Sequence, residues 1–315
     1  MQFRKITDED YSRMSQIQSL TEYDGSEYSM LYLKGWEFFN YESMQICDTG
    51  DIIFLRFIPH AKFDEKLSEH KYIYLPPLTI LENVKAAYSK IKEQCEFDGD
   101  IMYVMSTPKR YAELLGEEYD FIGNRDYDEY LYLPQDLIEL SGKKYHSKRN
   151  HIKNFIRRYG DNDKCVFRSY QPIDRDNVLA LYYGWEENKE SDGKEFDGET
   201  AEEESNELSV IKLALKLVEE RENFFADVVE YEGKLIGFTL GEITPSNVGI
   251  THIEKGDVAF DGIYPYLCNS FAKKRFQSVR FINRQEDMGL DGLRQSKLSY
   301  HPIGFCEKYA VKSKD

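Results

Sequence analysis

The chain has 315 residues, a formal net charge of −16 and 41% hydrophobic residues. This hydrophobic content is enough for two cores of ordinary domain size, which excludes a disordered chain. The acidic balance argues against binding to duplex DNA, because neutralising a phosphate backbone needs cations spread over a surface. No apolar stretch reaches the roughly 18 residues of a membrane span, and the start lacks the apolar core of a signal peptide. We therefore expect a cytoplasmic protein with no membrane span.

Common catalytic and metal-binding patterns are absent. The five cysteines are scattered without a CxxC pair, which indicates reduced thiols rather than a disulfide or zinc framework. The sequence contains no GxGxxG, GxxxxGKS, HExxH or GxSxG, so dehydrogenase, P-loop, zinc-peptidase and serine-hydrolase functions have no support. His146 and His151 are five residues apart, a poor spacing for sharing a metal on one helix. We expect no metal centre.

Strand and helix patterns alternate through the first half of the chain. In chain order they are the strands IIFLRF and YIYL, the helix LENVKAAYSKIKEQC, the strand IMYVMS, the helix PKRYAELLG and the strand DEYLYL. This order predicts a complete α/β unit.

The second half repeats the order. It contains a helix near NELSVIKLALKLVEER, a hairpin FFADVVEYEGKLIGFTLGEI, a strand VGITHIEK, a helix GIYPYLCNSFAKKR and the strands VRFIN and KYAV. The segments beginning at Ile101 and Val279 share a strand, helix, turn and strand at similar spacing. They predict a tandem duplication with domains at 1–140 and 161–315 and a basic connecting helix at 141–160.

The connecting segment KKYHSKRNHIKNFIRR contains seven Lys or Arg and no acid. At about 100° per residue, one face of a helix carries an apolar stripe. The stripe consists of Tyr145, Ile152, Phe155, Ile156 and Tyr159. Lys148 falls within the stripe and Arg149 at its edge. Two interpretations stay open: these cations snorkel or meet a buried acid, or they hold a bound anion.

Two further segments contain groups able to catalyse or bind. In THIEKGD, strand alternation places His252 and Glu254 on one face, either as an acid/base surface or as the solvent face of a half-buried strand. The stretch INRQEDMGLDGLRQSKLSYHP follows a strand end, where α/β proteins usually keep their sites. Its polar candidates are Asn283, Arg284, Glu286, Asp287, Arg294, Lys297, Tyr300 and His301.

The blocks LSGKKYHSKRNHIKNF, THIEKGD and INRQEDMGLDGLRQSKLSYHP, with RDYDEYLY before them, resemble the signature blocks of a bacterial family of uncharacterised proteins. That family is similar to the C-terminal, cytosolic domain of phosphatidylglycerol lysyltransferases. The resemblance implies an α+β fold with mixed sheets, arranged as two tandem GNAT-like acyl-CoA N-acyltransferase folds. Fem-type peptidyltransferases share this architecture and move an aminoacyl group from aminoacyl-tRNA to an amine.

The resemblance implies transfer of an acyl or aminoacyl group, from aminoacyl-tRNA or acyl-CoA, to an amine or hydroxyl of a small or lipid acceptor. The loop that holds CoA in GNAT enzymes has no clear counterpart, because that region reads KGDVAFDGIYPY. The alternative is therefore a non-catalytic ligand-binding or regulatory protein on a degenerate GNAT scaffold.

The expected roles follow from this reaction. Glu254, with His252 beside it, is the candidate base, and Tyr300 is the candidate acid by resemblance to the helix tyrosine of GNAT enzymes. The residues expected to hold the phosphates of CoA or of the tRNA 3′ end are Lys144, Lys148, Arg149, Arg284 and Arg294. The remaining candidates are His146, Asn283, Glu286, Lys297 and His301.

Overall fold

The computed structural model describes residues 1–35, 42–59, 67, 69–161, 164–191 and 201–314. These form two compact units, each with one seven-stranded sheet in which parallel and antiparallel strands are mixed. The first unit comprises Met1–Glu129, Glu286–Gly289 and Phe305–Asp315, and the second comprises Tyr130–Gln285 and Leu290–Gly304. The mixed α/β architecture confirms the expected fold class.

The sheet of the first unit is covered on both faces. Its strands, in pairing order, are β1 (Arg4–Lys5), β2 (Glu42–Asp48), β3 (Ile53–Ile58), β4 (Ile73–Tyr74), β5 (Tyr103–Pro108), β14 (Lys308–Ser313) and β6 (Tyr119–Gly123). The helices are α1 (Asp8–Gln18), α2 (Met30–Gly35), α3 (Val84–Asp98) and α4 (Lys109–Leu115). Along β3, Ile53, Leu55 and Phe57 enter a core with α1 and α2, whereas Phe54 enters a core with α3 and α4.

The second unit follows the same plan. Its strands pair in the order β13 (Gly304–Cys306), β7 (Glu129–Tyr132), β12 (Phe281–Asn283), β11 (Val248–Gly256), β10 (Lys234–Ile243), β9 (Phe224–Tyr231) and β8 (Cys165–Ser169). Its helices are α5 (Pro134–Glu139), α6 (His146–Tyr159), α7 (Arg175–Ser191), α8 (Ala201–Glu220), α9 (Ile263–Arg275) and α10 (Asp291–Leu298). Phe155 of α6 and Leu267 of α9 share one core with Val229 and Ile236 of the sheet.

The two repeats end in exchanged strands. Each repeat runs strand, helix, strand, strand: β5, α4, β6 and β7 in the first, and β12, α10, β13 and β14 in the second. The last strand of each repeat pairs with the first strand of the other, β7 with β12 and β14 with β5. The compact units therefore differ from the expected division at 140 and 160, because strands β7 and β14 lie in the sheets of the opposite halves.

Within the described part of the chain, no helix combines the length and the apolar character that crossing a membrane requires.

Candidate functional site in the second unit

The site lies where a pair of parallel strands stops pairing. Strands β11 and β12 are paired from Val248 and Phe281 to Ile250 and Asn283, whereas β11 continues to Gly256. Beyond the last pair, the side chain of Glu254 on β11 forms an ion pair with that of Arg284, the first residue after β12. Side chains of both strands thus meet at the edge where α/β folds commonly place ligands.

The Glu254–Arg284 pair is buried, and not all of its hydrogen-bonding atoms have partners. The two side chains are only 11% and 12% exposed, and Glu254 Oε2 accepts from Arg284 Nη2. Glu254 Oε1 and Arg284 Nη1 are buried without a hydrogen-bond partner. In the described residues of the second unit, the only other such atom is Thr239 Oγ1, on the residue that pairs with Glu254 across β10 and β11. Unsatisfied buried groups are rare in stable folds, so the two that this ion pair leaves over make it a candidate site.

Lys148 of α6 and Tyr300 complete the cluster. Lys148 Nζ lies 3.9 Å from the centroid of the Tyr300 ring, and the Arg284 guanidinium lies 4.9 Å from the same centroid. Among the residues that the structure describes, no carboxylate lies within ion-pair distance of the half-buried Lys148. The cluster therefore holds two cations and one carboxylate, an arrangement that favours an anionic ligand.

Burial changes the proton affinity of this cluster. Desolvation, followed by repulsion from Arg284, lowers the pKa of Lys148. The face of the Tyr300 ring acts in the opposite sense by about 0.5–1 kcal/mol, because it attracts the ammonium. Burial raises the pKa of Tyr300 well above its ordinary value, so its hydroxyl keeps its proton at neutral pH. Burial also raises the pKa of Cys268 on α9 to about 11, which keeps it a thiol.

The helix α6 is held tightly against the start of α9. Gly262, which precedes α9, has a φ of +93°, and a Cβ at this position would lie 2.8 Å from the carbonyl oxygen of His151. Only glycine tolerates both the conformation and the close approach. At the other end of the segment, the Tyr145 hydroxyl donates to the Tyr300 carbonyl oxygen at 2.9 Å. These contacts bring Lys148 over the Tyr300 ring.

The expectation that His252 and Glu254 share one face is wrong, because β11 carries a bulge. Leu240 pairs with Ile253 and Gly241 with Thr251, which leaves His252 as an extra residue. A Cβ at Gly241 would contact Phe271 of α9, so Gly241 faces α9 and Glu242, the next residue along β10, faces away. His252 bonds Glu242 at 2.9 Å, on the face opposite to that of Glu254.

His252 is buried and satisfied. Its other ring nitrogen lies 3.4 Å from the side-chain amide of Gln285, so both nitrogens have partners. The open, solvent-facing strand considered from the sequence is also wrong for this residue, since its side chain is 5% exposed. His252 is thus held by Glu242 and Gln285, away from the Glu254–Arg284 pair.

Three other expected site residues form side-chain hydrogen bonds with backbone atoms. Arg149 donates through Nη1 to the carbonyl oxygens of Leu140 and, at 2.7 Å, of Gly142, which cover the carboxyl end of α5. Lys297 is buried and donates to the Arg284 carbonyl oxygen at 2.7 Å. Asn283 accepts from the backbone amide of Gln285 at 2.7 Å, which ends β12 in a tight turn.

The remaining candidates lie outside the cluster. Lys144 is exposed, 3.4 Å from Asp136, and its carbonyl oxygen lies 3.3 Å from the exposed His301 ring. His146 is exposed and bonds Asn150 at 2.9 Å. Arg294 is half-buried on α10.

Glu286 belongs to the first unit, where its charge acts on Lys308. Cys268 and Thr239 could not be predicted as neighbours of the site, because a thiol in an apolar helix and a threonine in a strand carry no signal by themselves.

Comparison with known proteins decides the family. The family model described as phosphatidylglycerol lysyltransferase, C-terminal, matches residues 52–312. The chain belongs to this family. The chain is also similar to the uncharacterized protein MYCGA3080 of Mycoplasmoides gallisepticum, with 24% identity over 96% of this chain and 98% of that protein.

Three solved structures share the fold of this chain. A conserved protein of unknown function from Bacteroides thetaiotaomicron has a TM-score of 0.84 and 27% identity, with 99% of each chain covered. L-PGS from Bacillus licheniformis has a TM-score of 0.62 and 12% identity, covering 99% of this chain and 93% of its own. The C-terminal domain of a putative lysylphosphatidylglycerol synthetase from Agrobacterium fabrum has a TM-score of 0.63 and 13% identity, with coverages of 97% and 92%. The family resemblance and the tandem fold expected from the sequence are confirmed.

Proposed function

We propose that the chain transfers an aminoacyl group from aminoacyl-tRNA to an amine or hydroxyl acceptor, with the chemistry in the second unit. The observation that carries this proposal is the Glu254–Arg284 pair beyond the end of the β11–β12 pairing, with one buried acceptor and one buried donor left over. Membership of the phosphatidylglycerol lysyltransferase C-terminal family supports aminoacyl transfer over other acyl transfers.

Each charged group has a role in the proposed reaction. Glu254 Oε1 accepts the proton of the attacking amine or hydroxyl. Arg284 Nη1 and Lys148 Nζ donate to the oxygen on which negative charge develops, or to a phosphate of the donor. Tyr300 retains its proton at neutral pH and supplies it to the leaving oxygen. No covalent intermediate on the protein is required.

The reaction uses the two atoms that the Glu254–Arg284 pair leaves without a partner, so the contact between Glu254 Oε2 and Arg284 Nη2 can stay in place. A donor with an anionic oxygen at Arg284 Nη1, and an acceptor with its amine or hydroxyl at Glu254 Oε1, would satisfy both atoms. Acyl-CoA is the alternative donor, since it also carries phosphates. The name of the family suggests phosphatidylglycerol as one acceptor, and a small amine is the other that we propose to test.

The test compares wild type with Glu254→Gln, Arg284→Met and the double variant. We expect transfer of labelled lysine from lysyl-tRNA, to phosphatidylglycerol vesicles or to a soluble amine, to fall about 10²–10⁴-fold in Glu254→Gln, because a general base is lost. Each single variant leaves a buried charge unpaired, which costs about 3–5 kcal/mol of unfolding free energy. The double variant removes both charges and serves as the folded control.

Retained transfer in the folded double variant would contradict the proposed chemistry. Binding of lysyl-tRNA without transfer to any acceptor in wild type would favour the non-catalytic binding function instead. Acetyl transfer from acetyl-CoA, with no reaction of lysyl-tRNA, would show that acyl-CoA is the donor and would leave the proposed site residues unchanged.

A further inference from the structure

The amine of Lys148 is placed unusually for a lysine in an acidic chain. Its Nζ lies over the Tyr300 ring, beside Arg284 and near Cys268, with no carboxylate within ion-pair distance in the described residues. The one acid of the cluster, Glu254, is bound to Arg284. On the same helix, Lys153 is exposed and provides a lysine for comparison.

We propose that Lys148 is a modification site, an amine that accepts an acyl group from an activated donor such as a thioester, an acyl phosphate or an aminoacyl ester. Lys148 combines the two properties that such a nucleophile needs, which are a half-buried position beside a second cation and access to the place where the donor binds. The inference rests on the proposed function for its biological donor and for the place where that donor binds, whereas the reactivity of the amine does not depend on transfer to an acceptor.

The step is an ordinary aminolysis. The neutral Nζ attacks the carbonyl carbon, a C–N bond forms, and the C–S or C–O bond of the donor breaks. The proton that the nitrogen loses leaves with the thiol, phosphate or alcohol. With an acyl thioester or an acyl phosphate the product is a neutral amide, so one of the two cations facing the donor disappears, whereas an aminoacyl ester leaves its own α-amino group on the amide. Acylation of Lys148 by the first two donors would therefore weaken binding of anionic donors and limit the activity of the site.

The charges around Lys148 set the pH dependence. The groups facing it are Arg284 after β12, Cys268 of α9 and Tyr300 after α10, while Glu254 is held by Arg284. Burial and Arg284 lower the pKa of Lys148, so its neutral fraction at pH 7 exceeds that of an exposed lysine by tenfold for each unit of lowering.

The experiment exposes the full chain to acetyl phosphate between pH 6.5 and 9.5 and measures acetylation at each lysine by mass spectrometry. Lys148 should react several-fold faster than Lys153 at pH 7.5, and its rate should level off at a lower pH. A Lys148 rate equal to or below that of Lys153, with the same pH dependence, would overturn the proposal.

A second variant tests the physical cause. In the Glu254→Gln/Arg284→Met double variant, which leaves no buried charge unpaired, the positive charge beside Lys148 is removed, so the Lys148 rate should fall toward that of Lys153 while Lys153 itself is unchanged. An unchanged Lys148 rate in this variant would overturn the role of the site in activating the amine. The assay contains no tRNA and no acceptor, so its failure and failure of the transfer assay are separate results.

Discussion

Neighbouring residues on α6 have different tasks although both are cations. Lys148 points into the cluster with Tyr300 and Arg284, whereas Arg149 donates hydrogen bonds to carbonyl oxygens at the end of α5. A cation that binds carbonyls at a helix end stabilises the fold and is not available to a ligand. Lys148 and Arg149 are adjacent in sequence, and their positions around the helix do not show which one binds backbone carbonyls and which one faces the site.

This difference predicts opposite effects of two alanine substitutions. Arg149→Ala should lower the unfolding free energy by about 1–3 kcal/mol, because carbonyl groups lose a charged donor, and should leave donor affinity unchanged. Lys148→Ala should leave stability nearly unchanged, weaken donor binding and reduce its salt dependence. Thermal unfolding and donor binding across a salt series measure both effects. A reversed pattern would show that the roles are exchanged.

At the scale of the element, β11 is anchored on the face opposite to the site. Lys255 directly follows Glu254, and its ammonium lies 3.3 Å from the centroid of the Trp185 ring and 2.9 Å from Glu207. Trp185 in turn donates to the Tyr264 hydroxyl at 3.0 Å. Helices α7 and α8 thus hold the end of the strand that carries Glu254.

Substitution of Lys255 tests this anchoring. Lys255→Met should weaken the β11 end and reduce the transfer rate, because Glu254 loses a fixed backbone, whereas Lys255→Arg should retain the ring contact and the ion pair. The chain has one other tryptophan, Trp36. With Trp36 replaced by Phe, emission of Trp185 should change in the Met variant and stay near wild type in the Arg variant. Indistinguishable emission and transfer rate in the two variants would contradict the anchoring role.

At the scale of the whole molecule, the last strand completes the first unit. Strand β14 pairs with β5 on one side and β6 on the other, and Val311 enters the core with α3 and α4. The Lys308 ammonium pairs with two buried carboxylates, those of Glu27 and Glu129. Removing Lys308 would leave both carboxylates without their cation.

A fragment of residues 1–140 should therefore fail to fold, although it contains most of the first unit. Residues 1–129 joined through a flexible linker to residues 304–315 should fold, because the interior strand and Lys308 are restored. Circular dichroism and cooperative thermal unfolding provide the measurement, with Lys308→Met in the fusion as a control that should again be unfolded. Cooperative unfolding of the 1–140 fragment would disprove this dependence.

The sequence by itself predicted most elements and the tandem order, because apolar residues recur every 2 residues in strands and every 3.6 in helices, and this spacing can be read within one segment. It also predicted the family, because the signature blocks are long. It also predicted the buried side of the basic helix at Tyr145 and Phe155, although Ile156 of the same stripe is 50% exposed. Helix α7 and strand β6 were not predicted, since their apolar positions give a weaker periodic signal.

Only the tertiary structure decided which partner each polar residue has. The bulge at His252, the Glu254–Arg284 ion pair and the exchange of β7 and β14 all depend on strands that are distant in sequence. Alternation within one strand cannot reveal an extra residue, because a bulge is defined only against a neighbouring strand. Residue types and local periods therefore follow from the sequence, whereas register and long-range pairing determine which residues form the site.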